Sequence, residues 1–134
     1  MTNKLYILVV DDETDIKDLF LQRFRKDIRA GRVEFVFAFS GEEALDKLKR
    51  EEARAVLILS DINMPGMTGL ELLRRIKGDT PEAKVMMVTA YGDVATRDTA
   101  MAYGADDFLT KPLDFDALRA RIGLDPPKSA EESQ

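Results

Sequence analysis

Three aspartates, a threonine and a lysine each stand at or just beyond the end of a short apolar run in this 134-residue chain. Asp11 and Asp12 close "LYILVV", Asp61 follows "AVLILS", Thr89 follows "VMMV", and Lys111 comes two residues after Phe108-Leu109. If the runs are parallel strands, all five groups fall on one edge of a sheet, the carboxyl edge where open α/β folds keep their sites. A strand order that makes the first and third strands neighbours brings the three aspartates together. Two carboxylates about 5 Å apart repel by roughly 3 kcal/mol at an effective dielectric of about 20, so a trio needs compensation. Lys111 supplies one positive charge. The remaining deficit suits a divalent cation that prefers oxygen ligands, such as Mg²⁺. A metal, a lysine and a hydroxyl around one carboxylate are the parts that phosphoryl transfer uses to neutralise charge. Asp61 is thereby a candidate nucleophile able to form an acyl phosphate.

Singly, each of these residues has an ordinary alternative. Asp11-Asp12 ahead of a helix reads as a cap, Thr89 as a strand residue, and Lys111-Pro112 as a solvated turn. Met64-Pro65-Gly66 is a loop by composition. Capping and turn formation do not require concentration on one sheet edge, and that joint placement favours a site.

The elements that must do the positioning are legible from periodicity. Apolar runs at Leu5–Val10, Val33–Phe39, Ala55–Leu59, Val85–Val88 and Phe108–Leu109 are mostly continuous rather than alternating, as strands buried on both faces are. Ile16, Leu19, Phe20, Phe24 and Ile28 repeat at helical spacing and predict one helix. Ser40-Gly41-Glu42-Glu43 and Thr68-Gly69-Leu70-Glu71 read as capping boxes. Asp93 and Asp114 read as simpler N-caps, and Gly78 and Gly104 are placed where helices end. Five strand-helix alternations with right-handed crossovers give a doubly wound α/β domain. Residues 1–124 are expected to form it. After Ile122 the periodicity fades, and 125–134, with Pro126-Pro127 and a polar remainder, read as a tail or the start of a linker.

Composition narrows the chemistry further. Cysteine and histidine are both absent, which removes disulfides, thiolate and imidazole metal sites, and Ser-His or Cys-His catalysis. A formal net charge of -5 argues against direct nucleic-acid binding, which needs basic clusters. The apolar runs are too short to cross a bilayer and "MTNK" carries no signal-peptide pattern, so the expected place is cytoplasmic, with no membrane partner.

The stretches "ILVVDDE", "LILSDINMPGMTGLELL", "VMMVTAYG" and "GADDFLTKP" together resemble the motifs of bacterial response-regulator receiver domains, and the resemblance runs from Lys4 to Ile122. It implies the flavodoxin-like (βα)5 fold, with a five-stranded parallel sheet in the order 2-1-3-4-5, an order also used in the general account of such folds. It also implies roles. Asp61 resembles the aspartate that accepts a phosphoryl group from a histidine kinase or histidine phosphotransfer protein. Asp12 and Asp61, with the Asn63 backbone carbonyl, resemble the Mg²⁺ ligands, and Asp11 the acid that holds metal-bound water. Lys111 is similar to the lysine that pairs with phosphoryl oxygens, and its bond to Pro112 is expected to be cis. Thr89 and Phe108 resemble the hydroxyl and aromatic switch residues. The implied mechanism is a population shift of the fourth helix, fifth strand and fifth helix. Taking such an equilibrium from 1:99 to 99:1 needs about 5.5 kcal/mol of differential interaction, within reach of a few charge-assisted hydrogen bonds. The implied protein is a signalling phosphoacceptor, not an enzyme with a separate substrate, controlling a partner or effector domain.

Some features depart from the family pattern. The fifth helix, halted by Gly123 and Pro126-Pro127, is short for a dimer surface, although the resemblance leaves room for a homodimer formed on phosphorylation. The run "RFRKDIRAGR" is basic in an acidic chain and reads as a solvated face, or as a meeting point for an acidic kinase or phosphotransfer partner. Tyr91 is placed to shield a phosphoryl group from water. Three alternatives stand beside this reading. A metal-dependent phosphatase wants Asp-x-Asp after the first strand, which "VVDDETD" does not supply in the usual form. A flavodoxin-like binder wants a phosphate loop where this chain carries repelling carboxylates. A non-phosphorylated interaction domain leaves the acids, threonine and lysine without a purpose.

Overall fold

The computed structural model describes residues 4–51, 57–90 and 92–124. Five parallel strands, β1 (Leu5–Val10), β2 (Val33–Ala38), β3 (Leu57–Asp61), β4 (Lys84–Thr89) and β5 (Asp107–Thr110), form one sheet in the order β2-β1-β3-β4-β5. The register sets Val10 beside both Ala38 and Ser60, and Thr89 beside Thr110, so the carboxyl ends of all five strands share an edge. The continuous apolar runs are explained by two-sided burial. Ile7 and Val9 enter one core while Leu8 and Val10 enter the other, as the period of two along a strand requires.

Six helices cover the sheet among the described residues: α1 (Asp15–Arg23), α2 (Arg25–Arg29), α3 (Gly41–Glu51), α4 (Gly69–Asp79), α5 (Val94–Ala102) and α6 (Phe115–Arg121). Phe20, Phe24 and Leu118 bring α1, its continuation and α6 onto one face. Ala44, Leu72, Leu73, Ile76 and Ala100 bring α3, α4 and α5 onto the other. The expected single first helix is interrupted at Phe24 (φ -109°, ψ 21°), giving α1 and α2. Hydrogen bonds from Phe24 N to Phe20 O and from Ile28 N to Phe24 O bridge the interruption at 3.0 and 2.9 Å. The chain therefore bends without leaving its face.

The caps form largely as their sequences specify. Ser40 Oγ accepts from Glu43 N at 3.0 Å, while the Glu43 carboxylate reaches one residue past the cap to accept from Phe39 N at 2.8 Å. That backbone bond holds the Glu43 carboxyl below its usual range, with Lys47 adding to it against a smaller effect of burial. Thr68 Oγ1 accepts from Glu71 N, but the Glu71 side chain turns along the helix to Arg75, so this box is half-made. Asp93 caps α5 and Asp114 caps α6. Gly104 (φ +101°) lies past the end of α5 as expected. Gly78 does not end a helix; α4 continues through it to Asp79. Residues 125–134, expected to be a tail or linker, and Tyr91 lie outside the described residues. No helix among the described residues is long and apolar enough to cross a membrane.

Phe20 is the keystone of its face, being 1% exposed and within 6.3 Å of the rings of Phe24, Phe35, Phe37 and Phe115. Phe20→Ala is expected to cost about 3–5 kcal/mol, read as a lower urea midpoint at nearly unchanged slope.

Candidate functional site

Asp11 is fixed first by its backbone. Its N–H continues the β1–β2 ladder to Ala38 O at 3.1 Å, and its Oδ1 accepts from Glu13 N at 2.9 Å, so the side chain closes the turn into α1. Asp61 is the last residue of β3. The following Ile62 donates to Val88 O at 2.9 Å, pinning the chain just beyond Asp61 to β4. Lys111 leaves β5 with its own N–H bonded to Thr89 O at 2.8 Å, and the Lys111-Pro112 bond is cis. These anchors bring the side chains together. Lys111 Nζ lies 3.1 Å from Asp11 Oδ2 and 3.5 Å from Asp61 Oδ2.

Asp12 joins them. One carboxylate oxygen from each of Asp11, Asp12 and Asp61 lies within 4.8 Å of the other two. Asp11 and Asp61 are 4% and 6% exposed, too buried for bulk water to dissipate their repulsion. Burial, then the charge of Asp11, pushes the Asp61 carboxyl up, against the opposing pull of Lys111 and of the Asn63 N–H. Burial alone would lower Lys111, but its hydrogen bond to Asp11 and the charges of Asp11, Asp61 and Glu13 outweigh it and leave the ammonium held above its usual value. Three carboxylates facing one ammonium leave two negative charges. An all-oxygen donor set with that deficit fits a hard divalent cation.

Thr89 and Asn63 are linked across the loop, Asn63 Nδ2 donating to Thr89 Oγ1 at 3.2 Å. Thr89 is fully buried and Asn63 is exposed. Phe108 stands apart from the acids, half-buried against the core shared by α3, α4 and α5. The strand ends thus bring Asp11, Asp12, Asp61 and Lys111 together.

The sequence reading missed the support beneath them. A Cβ on Gly69 would lie 2.0 Å from Asp61 O and 2.7 Å from Ile62 Cα, and Gly69 N donates to Ile62 O at 2.8 Å. The start of α4 is packed directly against the backbone that carries Asp61. A poor helix former just inside a capping box was the available signal, and it was absorbed into the reading of the cap.

The family model for the response regulator receiver domain matches residues 7–123, and the chain belongs to that family, whose members are phosphoacceptors of two-component signalling rather than conventional enzymes. The response regulator protein PilR of Pseudomonas aeruginosa is 40% identical over 118 residues, covering 86% of this chain and 24% of that protein. The transcriptional regulatory protein CrdR of Helicobacter pylori is 46% identical over 89 residues, covering 63% and 39%. The chain therefore spans about a quarter of the first of these relatives and two fifths of the second. Among solved structures, the receiver domain protein from Methanospirillum hungatei superposes with a TM-score of 0.78 at 32% identity, covering 90% of this chain and 91% of that one. The response regulator TrrA of Thermotoga maritima, in complex with Mg²⁺-BeF, gives 0.74 at 33%, covering 88% and 96%.

Two outcomes follow from this geometry. Because burial and the charge of Asp11 raise the Asp61 carboxyl above its ordinary value in the folded state, stability falls as pH rises from the ordinary carboxylate value through the raised one. Asp61→Asn is expected to stabilise the metal-free protein at pH 7 by roughly 1 kcal/mol, seen as a higher melting temperature that converges with the parent's in acid. Gly69→Ala is expected to destabilise by about 1–3 kcal/mol through overpacking, measured by urea unfolding.

Proposed function

We propose that Asp61 accepts a phosphoryl group from a phosphohistidine on a histidine kinase or a histidine phosphotransfer protein, and that the α5-β5-α6 surface reports the event to an effector domain or partner. The observation that carries this reading is the buried Asp61 carboxylate crowded by Asp11 and met, among the described residues, by one ammonium. A carboxylate oxygen of Asp61 attacks phosphorus and the P–N bond breaks. The imidazole nitrogen departs with the electron pair and takes a proton, leaving an acyl phosphate on Asp61.

Asp12 and Asp61, with the Asn63 backbone carbonyl, are the residues that would hold Mg²⁺. Asp11, whose oxygens already accept from Glu13 N and Lys111 Nζ, suits contact with metal-bound water. When bound, the cation offsets charge on the transferring phosphoryl oxygens. Lys111 turns from the carboxylates toward those oxygens as a point charge. Thr89, at the end of β4, would exchange Asn63 for a phosphoryl oxygen at its hydroxyl, and Phe108 on β5, half-buried, would repack with it. This is the switch expected of the fourth helix, fifth strand and fifth helix. With the first helix divided, those elements are α5, β5 and α6. The site of action is the cytoplasm, and residues 125–134 serve as a polar tail or lead into a following domain.

Incubation with acetyl phosphate and Mg²⁺ is expected to add one phosphate to the protein by intact mass. Chelation of the metal or Asp61→Asn abolishes the addition. Lys111→Ala keeps the acceptor but cuts the phosphate-dependent change in Phe108 fluorescence or NMR signals. Phosphate gained by the Asp61→Asn protein at the parental level would refute the assignment.

A further inference from the structure

The basic run on the first helical segment hides a buried acid. Asp27, in α2, is 3% exposed, although it lies in "RFRKDIRAGR" among Arg23, Arg25, Lys26 and Arg29, all of them exposed. Its Oδ1 accepts from Arg32 Nε at 3.2 Å and its Oδ2 from Arg119 Nη1 at 2.5 Å. Arg119 belongs to α6, 92 residues further along. Its guanidinium also lies 5.1 Å from the centre of the Phe24 ring, so it is held between an aromatic face and a carboxylate. Two turns of contact complete the seam: Phe115 meets Phe20 and Phe24 at 5.3 and 5.9 Å, and Arg23 lies over Phe115 at 5.1 Å.

The neighbouring helix is held quite differently. Ala100 is the single buried residue of α5, and Val94, Met101 and Tyr103 are exposed. Its side-chain ties to the rest of the fold are slight, such as the Arg74 guanidinium 5.6 Å from the Tyr103 ring. A buried ion pair is costly to break from one side because the remaining charge is stranded. Elements that move are drawn from the weakly packed end of a structure.

We propose that Asp27 and Arg119 form a clasp that holds α6 fixed on α1 and α2, so that a change at the Asp61 site is expressed through α5 and β5 while α6 serves as a stationary support. This rests on the phosphoacceptor reading above. It narrows the responding surface from three elements to two. It also gives the short α6 a purpose suited to its seven residues, a docked strut rather than a mobile face.

Hydrogen exchange by mass spectrometry on the full chain, with and without Mg²⁺ and beryllium fluoride as the phosphoryl stand-in, tests the clasp. In the parent, α5 and β5 amides are expected to change exchange rate and α6 amides to stay as they were. In Asp27→Asn and in Arg119→Met, α6 amides exchange roughly tenfold faster or more and become responsive to beryllium fluoride, while acetyl phosphate still labels Asp61. A parental α6 that responds as strongly as α5 overturns the proposal, as does parental α6 protection in both variants. If neither beryllium fluoride nor acetyl phosphate has any effect on the parent, the site reading fails and the signalling part of the clasp falls with it. Labelling without the asymmetry defeats the clasp alone.

Discussion

Two buried carboxylates share the Lys111 ammonium at the carboxyl edge of the sheet with a third carboxylate beside them, and much of the architecture exists to keep them there. Left free, side chains of like charge would rotate toward water and apart. Here Lys111 holds the Asp11 and Asp61 carboxylates inward, and the backbone beneath them is fixed. The β1–β2 ladder runs on through Asp11 N, Ile62 is bonded to β4, and Gly69 is packed against Asp61 O. Repulsion is thus converted from a motion into a standing electrostatic potential. A site that attracts a cation and a phosphoryl group needs such a potential before either arrives, because preorganised charge costs no rearrangement at the moment of reaction.

The rest of the molecule treats its acids in the opposite way. At the amino edge of the sheet, Asp27 is met by two guanidiniums. Asp106 is bonded to Val85 N at 2.8 Å and Lys77 Nζ at 3.0 Å, which outweigh burial and hold its carboxyl below the usual range. Asp93 is likewise lowered by the Thr96 N–H at the start of α5. Among the described carboxyl groups with a resolved shift, Asp61 alone is pushed up. The raised carboxyl of Asp61 lies at the carboxyl edge, whereas Glu43, Asp93 and Asp106 are lowered by their hydrogen bonds, a contrast expected of a site beside structural polar contacts.

Legibility in the sequence divides along a physical line. Strands buried on both faces write themselves as continuous apolar runs, and polar residues at their ends are placed by the chain itself, so Asp11, Asp61, Thr89 and Lys111 could be gathered on one edge without coordinates. Caps are equally local, and Ser40, Thr68, Asp93 and Asp114 all cap. The strand order is a matter of long-range pairing; it was available through the family resemblance rather than through any local pattern. Asp27 was illegible because its burial depends on Arg119, and a lone acid in a basic run looks solvated. Phe24 sat in perfect helical register, yet the register carries no sign of the interruption there. Gly69 reads locally as part of the Thr68 cap, which does form, while its close approach to Asp61 O leaves no local mark beyond the glycine itself.

The same division bears on how a signal would leave the site. Connections that can be read locally, such as helix caps, hold each element to its own neighbours and transmit little. Coupling over distance requires an element with two arrangements of nearly equal energy. The α1-α2-α6 face does not offer one: its aromatic seam is interlocked and its ion pair strands a charge when opened. The opposite face is held less tightly, because α5 has one buried residue and Phe108 is only half-covered. Thr89 stands at the junction, with its carbonyl bonded to Lys111 N and its hydroxyl to Asn63. On the proposal above, a redistribution of charge around Asp61 would therefore act first on β4 and the exit of β5, which Thr89 joins, and then on the lightly held α5.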